Sequence, residues 1–409
     1  MVRLSKDRAW VVAHLVLGIN WVALLALAEA EPYPLDVFPR EDKIVTDSET
    51  GVTVAFLTTH PAADVNLYFH ERSWLADSSL ILFYSSRENG GLMGYLVKTR
   101  ELVRICSANG EGIGAATAAV HKNSVYALHG QDVCEFSLSI EGAEGPLSTP
   151  SRVYATERVI CTLPRNNHTT ALNESCDGKR LALGISCTED WPGPAIYTIE
   201  IDTGKHEAVV RLPKEPGYEG HVQWSRTNPN WLSFAGRPLR LQVVDVRDGT
   251  VFCPYKPWEG ELITHECWWV NDQILFCGGI HASPGEESHV KVLDVHTGQV
   301  RIIGAGSWWP GASAEELAKH NWWHASGSED GKWVAADNWH GDIVLFEGHT
   351  TRPRLLTTGH RTYGVGEHPH VGWGRKGGQV IFASHKLGDL NVCVATIPES
   401  WEEKLQLSP

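Results

Sequence analysis

The chain has 409 residues, 42% of them apolar and 21% charged, which excludes a disordered protein and leaves room for several ordinary domains or one large β-architecture. A formal net charge of −14 excludes a general polyanion-binding surface, and with it a nucleic-acid partner, so an anionic ligand requires a local cluster of Arg, His or metal. Seventeen Trp against two Met suit stiff, aromatic-lined strands better than a helical bundle.

The chain opens with Arg3, Lys6 and Arg8, then a mostly apolar stretch from Ala9 to Ala28 and the small-residue pattern Ala28-Glu29-Ala30. This predicts a secretory signal over residues 1–30, cut after Ala30. His14 and Asn20 interrupt the apolar run, and its length keeps an uncleaved membrane anchor as the alternative. Once the leader is removed, residues 31–409 are expected to form one secreted domain with no stable membrane association. The sequons Asn167-His168-Thr169 and Asn173-Glu174-Ser175 fit a secreted glycoprotein. The nine Cys lack any CxxC or CxxxC cluster, which argues against a zinc ribbon; in an oxidising compartment some are expected to pair, leaving at least one free.

From about Val52 to Pro398 one pattern repeats: a short apolar run, a turn, a second run, and often a D-x-x-T-G-like turn. In chain order the pairs are ILFYSS with YLVKTREL, VYALHG with VCEFSL, LALGIS with IYTIEIDTG, and WLSFAG with LQVVDVRDG. ILFCGG with VKVLDVHTG, WVAADN with IVLFEG, and VIFASH with NVCVATIP complete seven units. Runs rich in Val, Ile, Leu, Phe and Tyr and bounded by Gly, Asp or Asn are strands and hairpins. Units of about 40 to 60 residues with three or four such strands predict an all-β, seven-bladed β-propeller. The stretch SAEELAKH is expected to add a short surface helix.

Histidine recurs in five of the seven units, seven residues before a turn-like position: His70 before Asp77, His221 before Asn228, His265 before Asp272, His324 before Gly331 and His370 before Gly377. A Trp follows at the third position in HVQW, HECW and HVGW, where blade packing accounts for it. A repeat that closes on itself brings equivalent positions together around one axis. On an extended strand, residues two apart point the same way, so His368 and His370 of HPH can reach one ion. His324 from the neighbouring blade completes a three-nitrogen site with open positions for substrate. His70 and His221 stand open between substrate contact and bracing of the scaffold.

The segments NLYFHERSWLADSSLILFYSSRENG, GHVQWSRTNPNWLSFAG, THECWWVNDQILF and HPHVGWGRKGGQVIFAS, with the terminal ATIPESW, resemble the oligogalacturonate lyases over about residues 50 to 402. The resemblance implies β-elimination on short galacturonides and a divalent ion, manganese first with calcium or magnesium as alternatives, on His324, His368 and His370. It implies His265 as the catalytic base and Arg240, 25 residues upstream, as a second catalytic residue. Two positions depart from the family pattern: Val365 stands where the family has a Gln ligand, and Phe234-Ala235-Gly236-Arg237-Pro238 replaces a His-Glu-Gly stretch, which bears on sugar specificity.

The chemistry suits these residue types. Removal of the C5 proton of a uronide requires a neutralised carboxylate and a stabilised enediolate, which a divalent ion supplies electrostatically. Neutral His265 is a competent base near pH 7. Arg240 suits the carboxylate, and Tyr363, near HPH, is a candidate donor to the leaving oxygen. The expected partner is an anionic oligosaccharide. The alternatives are a propeller lyase for another uronide, such as rhamnosyl-glucuronate, and a non-catalytic propeller that binds glycan or protein.

Overall fold

The computed structural model describes residues 30–409 apart from 89, 143–149, 165–171, 189, 216–217, 280–287, 305–312, 314–320, 349–352, 362–367 and 402–409, and only the backbone of Tyr218 and Glu219. The leader, the sequon at Asn167, the expected helix at SAEELAKH, Tyr363 and Val365 lie outside these residues, save Ala30 and Ser313. The chain divides into Met1–Glu31 and Pro32–Pro409, and the second unit carries everything that follows. Among the described residues no helix is long and apolar enough to cross a membrane.

Each pair of apolar runs becomes two adjacent antiparallel strands. In blade 1, Leu80–Ser85 pairs with Gly91–Leu96, with Asp64–Asn66 inside and Leu102–Arg104 outside. Blade 2 is built on Gly114–Ala118, Ser124–His129, Asp132–Glu141 and Arg152–Thr162. Blade 3 begins at Asn173–Glu174, blade 4 at Tyr218–Trp224, blade 5 at Thr264–Trp268 and blade 6 at Trp322–Gly327, each a four-stranded sheet. Blade 7 takes Gly372–Trp373, Gln379–Ser384 and Asn391–Thr396 from the end of the chain, and Thr53–Phe56 and Lys43–Thr46 from its beginning. Val54, Ala55 and Phe56 pair with Ala395, Val394 and Cys393, so the last sheet fastens the ring.

Seven apolar clusters fill the interfaces between neighbouring blades, including the one between blades 7 and 1, where Trp74, Ile81 and Phe83 meet Ile381, Val392 and Val394. Strands covered on both faces need no polar alternation, which is why the sequence shows continuous apolar runs. Trp224 and Trp268 are buried in these interfaces, and the Trp268 indole N–H donates to the Gln223 carbonyl at 3.2 Å. In blade 6 the equivalent position is Gly327, where a Cβ would run into the Trp269 indole.

Two expectations are corrected. All nine cysteines are unpaired. Even those that share a blade, such as Cys134 with Cys161 and Cys267 with Cys277, are unbridged, and Cys106, Cys134, Cys267, Cys277 and Cys393 are buried as small apolar side chains. The Asn173 side chain is also buried, with its Oδ1 accepting the Trp224 backbone N–H at 2.8 Å, so a glycan there would require the fold to open.

Candidate active site

The repeated histidines gather at one end of the innermost strands. Ring centroids lie 5.7 Å apart for His70 and His221, 6.4 Å for His221 and His265, 4.0 Å for His265 and His324, and 4.4 Å for His324 and His370. His368 joins the ring at 5.3 Å from His324 and 6.0 Å from His370.

The local backbone explains how a strand delivers an imidazole there. His221, His265 and His370 have φ of 57°, 52° and 53°, the left-handed region, and Ala115 occupies it at 49° in blade 2. The pairing register shifts across His221, between Gly220 and Gln223, and across His265, between Thr264 and Cys267. An inner strand that bulges here turns its side chain toward the axis, at a conformational cost of order 1–3 kcal/mol per non-glycine residue. Such strain is concentrated at functional positions. It also corrects one premise: residues 368–370 are not an extended strand, so His368 and His370 do not share a direction by strand periodicity.

Two buried carboxylates orient the ring. Asp337, on the second strand of blade 6, accepts the His324 backbone N–H at 2.8 Å and lies 3.0 Å from His324 Nδ1. Its other contact is the His370 N–H at 3.1 Å. Burial pushes the Asp337 carboxyl up to about 6, against the pull of these hydrogen bonds and of His368 and His370. Glu266, fully buried beside the expected base, accepts Arg240 Nε at 2.7 Å and lies 3.4 Å from His221 Nδ1. Asn66 ties in blade 1 by donating to the His370 carbonyl at 2.8 Å.

Burial holds the imidazoles neutral. His70, His265 and His324 are pushed well below their ordinary value by burial and then by the cost of a second positive charge beside neighbouring histidines and, for His70 and His265, Arg226 and Arg240, and His370 falls to about 4, chiefly by burial. His265 Nδ1 is 3.0 Å from the Thr264 hydroxyl. With His324 Nδ1 on Asp337, its Nε2 is a buried nitrogen with no hydrogen-bond partner. A neutral imidazole whose far nitrogen is fixed by a carboxylate, leaving the near one bare, has the donor chemistry of a metal ligand. Among the described residues no three His, Cys, Asp or Glu side chains converge as a complete metal cluster. The fit therefore rests on the donor set of His324, His368 and His370.

Tyr68 was not singled out by sequence reasoning, yet it sits among the histidines, with ring centroids 4.9 Å from His70, 5.5 Å from His221, 6.4 Å from His324 and 5.0 Å from His370. Its position two residues before His70 was the available signal. Burial, and then the Glu266 charge, hold its phenol protonated. Asp337 and Glu266 were legible only as charged residues inside the apolar runs WVAADN and THECWWV.

Fold and ring together define a closed seven-bladed propeller with a histidine-lined mouth. No protein-family model matches the chain, and no curated protein matches it in sequence. Among solved structures it is similar to an oligogalacturonate lyase in complex with manganese, with a TM-score of 0.66 over 91% of this chain and 99% of that one at 16% identity. It is similar as well to an oligogalacturonate lyase from Vibrio parahaemolyticus, with a TM-score of 0.65 over 91% and 100% of the two chains at 17% identity. At that identity the likeness establishes the seven-bladed fold.

Proposed function

We propose that the protein is a lyase that cleaves uronic-acid-containing oligosaccharides by β-elimination at the histidine-lined mouth. One observation carries the reading: His265, kept neutral by burial, stands 4.0 Å ring to ring from His324, and the residue after it, Glu266, holds Arg240 at 2.7 Å. The fold likeness to two oligogalacturonate lyases supports the choice of an anionic oligosaccharide.

His265 takes the C5 proton, and the negative charge of an entering uronide raises its basicity. Arg240, oriented by Glu266, is the cation for the substrate carboxylate. Tyr68 holds the proton for the leaving oxygen; the alternative donor is Tyr363, which lies outside the described residues. His70 and His221 border Tyr68 and shape the space around the sugar. His324, His368 and His370 would hold the divalent ion, and the manganese of one structural neighbour supports manganese ahead of calcium or magnesium. When bound, that ion neutralises the uronide carboxylate.

Incubation with digalacturonate and with glucuronate-containing oligosaccharides, read by absorbance of the 4,5-unsaturated product with and without chelator, tests the proposal. Signal that chelator removes is expected; none on either substrate class with metal supplied would leave a non-catalytic glycan-binding propeller. A lyase for another uronide is favoured by the Gly236-Arg237-Pro238 segment, which stands in place of the His-Glu-Gly stretch and lines a cavity of about 480 Å³ together with Arg240. The leader reading makes the protein secreted; a mature N-terminus at Glu31 in the medium is the expected result.

A further inference from the structure

We propose that the other end of the channel is a second binding site, for a small anion bearing a phosphate or carboxylate group, held by Arg72, Arg226 and Arg375. It stands independently of the lyase reading. Five residues beyond Ala115, His221, His265, His324 and His370 come Val120, Arg226, Val270, Glu329 and Arg375. All five line one cavity of about 400 Å³, to which blade 1 contributes Arg72. Five residues of extended chain span about 16 Å, so the same inner strands that carry imidazoles at one end carry this second ring at the other.

The charge at this ring is not balanced. Three guanidiniums share the cavity with one lining carboxylate, Glu329, which is 3.9 Å from Arg375 and 41% exposed, and the buried Glu174, which acts on Arg72 and Arg375 from outside the lining, offsets only part of the remaining charge. Arg375 donates to the carbonyls of Trp74 at 2.9 Å and Ala119 at 2.6 Å, and Arg226 donates to the Gly327 carbonyl at 3.0 Å. Carbonyls satisfy N–H groups without neutralising the cations. Arg72 Nε is buried with no hydrogen-bond partner. Burial, and then the charge of Arg72, bring Arg375 down to about 10. A multivalent oxyanion relieves the repulsion and accepts the free donor, and guanidinium forks match its geometry. The concentration of positive charge is notable in a chain of net charge −14.

Calorimetric titration of the full chain with inorganic phosphate and with malonate, at ionic strength held constant with potassium chloride, tests the site. Saturable binding is expected, weakened at least tenfold in the Arg72→Gln/Arg226→Gln double variant and unchanged in His265→Ala; the tighter of the two anions assigns the head group. Arg375 is left intact because it braces two blades. Glu329→Gln is the second arm and should tighten binding severalfold, which a purely structural cluster does not predict. No saturable heat with either anion, equal binding in the double variant, or an unchanged affinity in Glu329→Gln would overturn the proposal.

Discussion

The His324 imidazole and the Asp337 carboxylate form a buried pair in which Nδ1 lies 3.0 Å from Oδ2 while the His324 backbone N–H donates to Oδ1 at 2.8 Å. Oδ2 also accepts the His370 N–H at 3.1 Å. One carboxylate on the second strand of blade 6 thus fixes both the ring orientation of one candidate ligand and the backbone of another from the next blade.

Replacing Asp337 by Asn keeps the size and one acceptor but removes the charge that holds His324 Nδ1. Outer-shell partners of this type are worth 10–100-fold in metal affinity. Manganese affinity in Asp337→Asn, measured by titration of the purified protein, is expected to fall by about that factor. An affinity equal to the parent would mean that Asp337 braces the blade and nothing more.

His265→Ala separates base from ligand. Turnover on a uronide substrate should fall to background while manganese titration remains within about threefold of the parent, because general-base catalysis contributes about 10²–10⁴-fold. Loss of metal binding together with turnover would move His265 into the ligand set, and retained turnover would place the base elsewhere.

Tyr68→Phe keeps the edge contacts with His70 and His221 and removes only the hydroxyl. The expected outcome is a melting temperature within a degree or two of the parent and a turnover number lowered about 10²-fold or more, with the loss smaller on a substrate carrying a better leaving group. A loss that does not depend on the leaving group would make Tyr68 a substrate contact.

The strands and the ring of histidines were legible because both repeat. ILFYSS, WLSFAG and WVAADN correspond to Leu80–Ser85, Trp231–Gly236 and Trp333–Asn338, and the five recurring histidines do meet. What escaped was information carried by pairing across long separations. Nothing local in KIVT or TVAF says that Lys43–Thr46 and Thr53–Phe56 finish the sheet begun at Gly372. Nothing local marks Asp337 as the partner of His370, 33 residues away. The left-handed backbone at His221, His265 and His370 was hidden too, since no glycine announces it.

The ring closure carries its own titration. His360, fully buried between Phe56 and Phe382, has Nε2 2.7 Å from the Thr357 hydroxyl and Nδ1 2.9 Å from the Ser384 hydroxyl. Thr357 donates its only proton to Asp47 at 2.8 Å, so it accepts from Nε2–H, and Nδ1 accepts from Ser384. Burial, and then the Lys386 ammonium, lower His360 to about 3, with Asp47 opposing. Burial alone would raise Asp47, but hydrogen bonds from Thr358, Thr357, Thr50 and Glu49 outweigh it and hold the carboxyl below its ordinary value. Both groups are depressed in the folded state, so their contributions are present at neutral pH and lost on acidification. His360 acts first, from about 6.5 down to about 3, and Asp47 only below its ordinary value near 3.8. In His360→Gln the amide can replace the donor to Thr357 without acquiring charge. The melting temperature of the parent should fall more steeply than that of His360→Gln between pH 6.5 and 4, so that the two curves converge. Parallel curves would show that His360 does not report the opening of the clasp between blades 6 and 7.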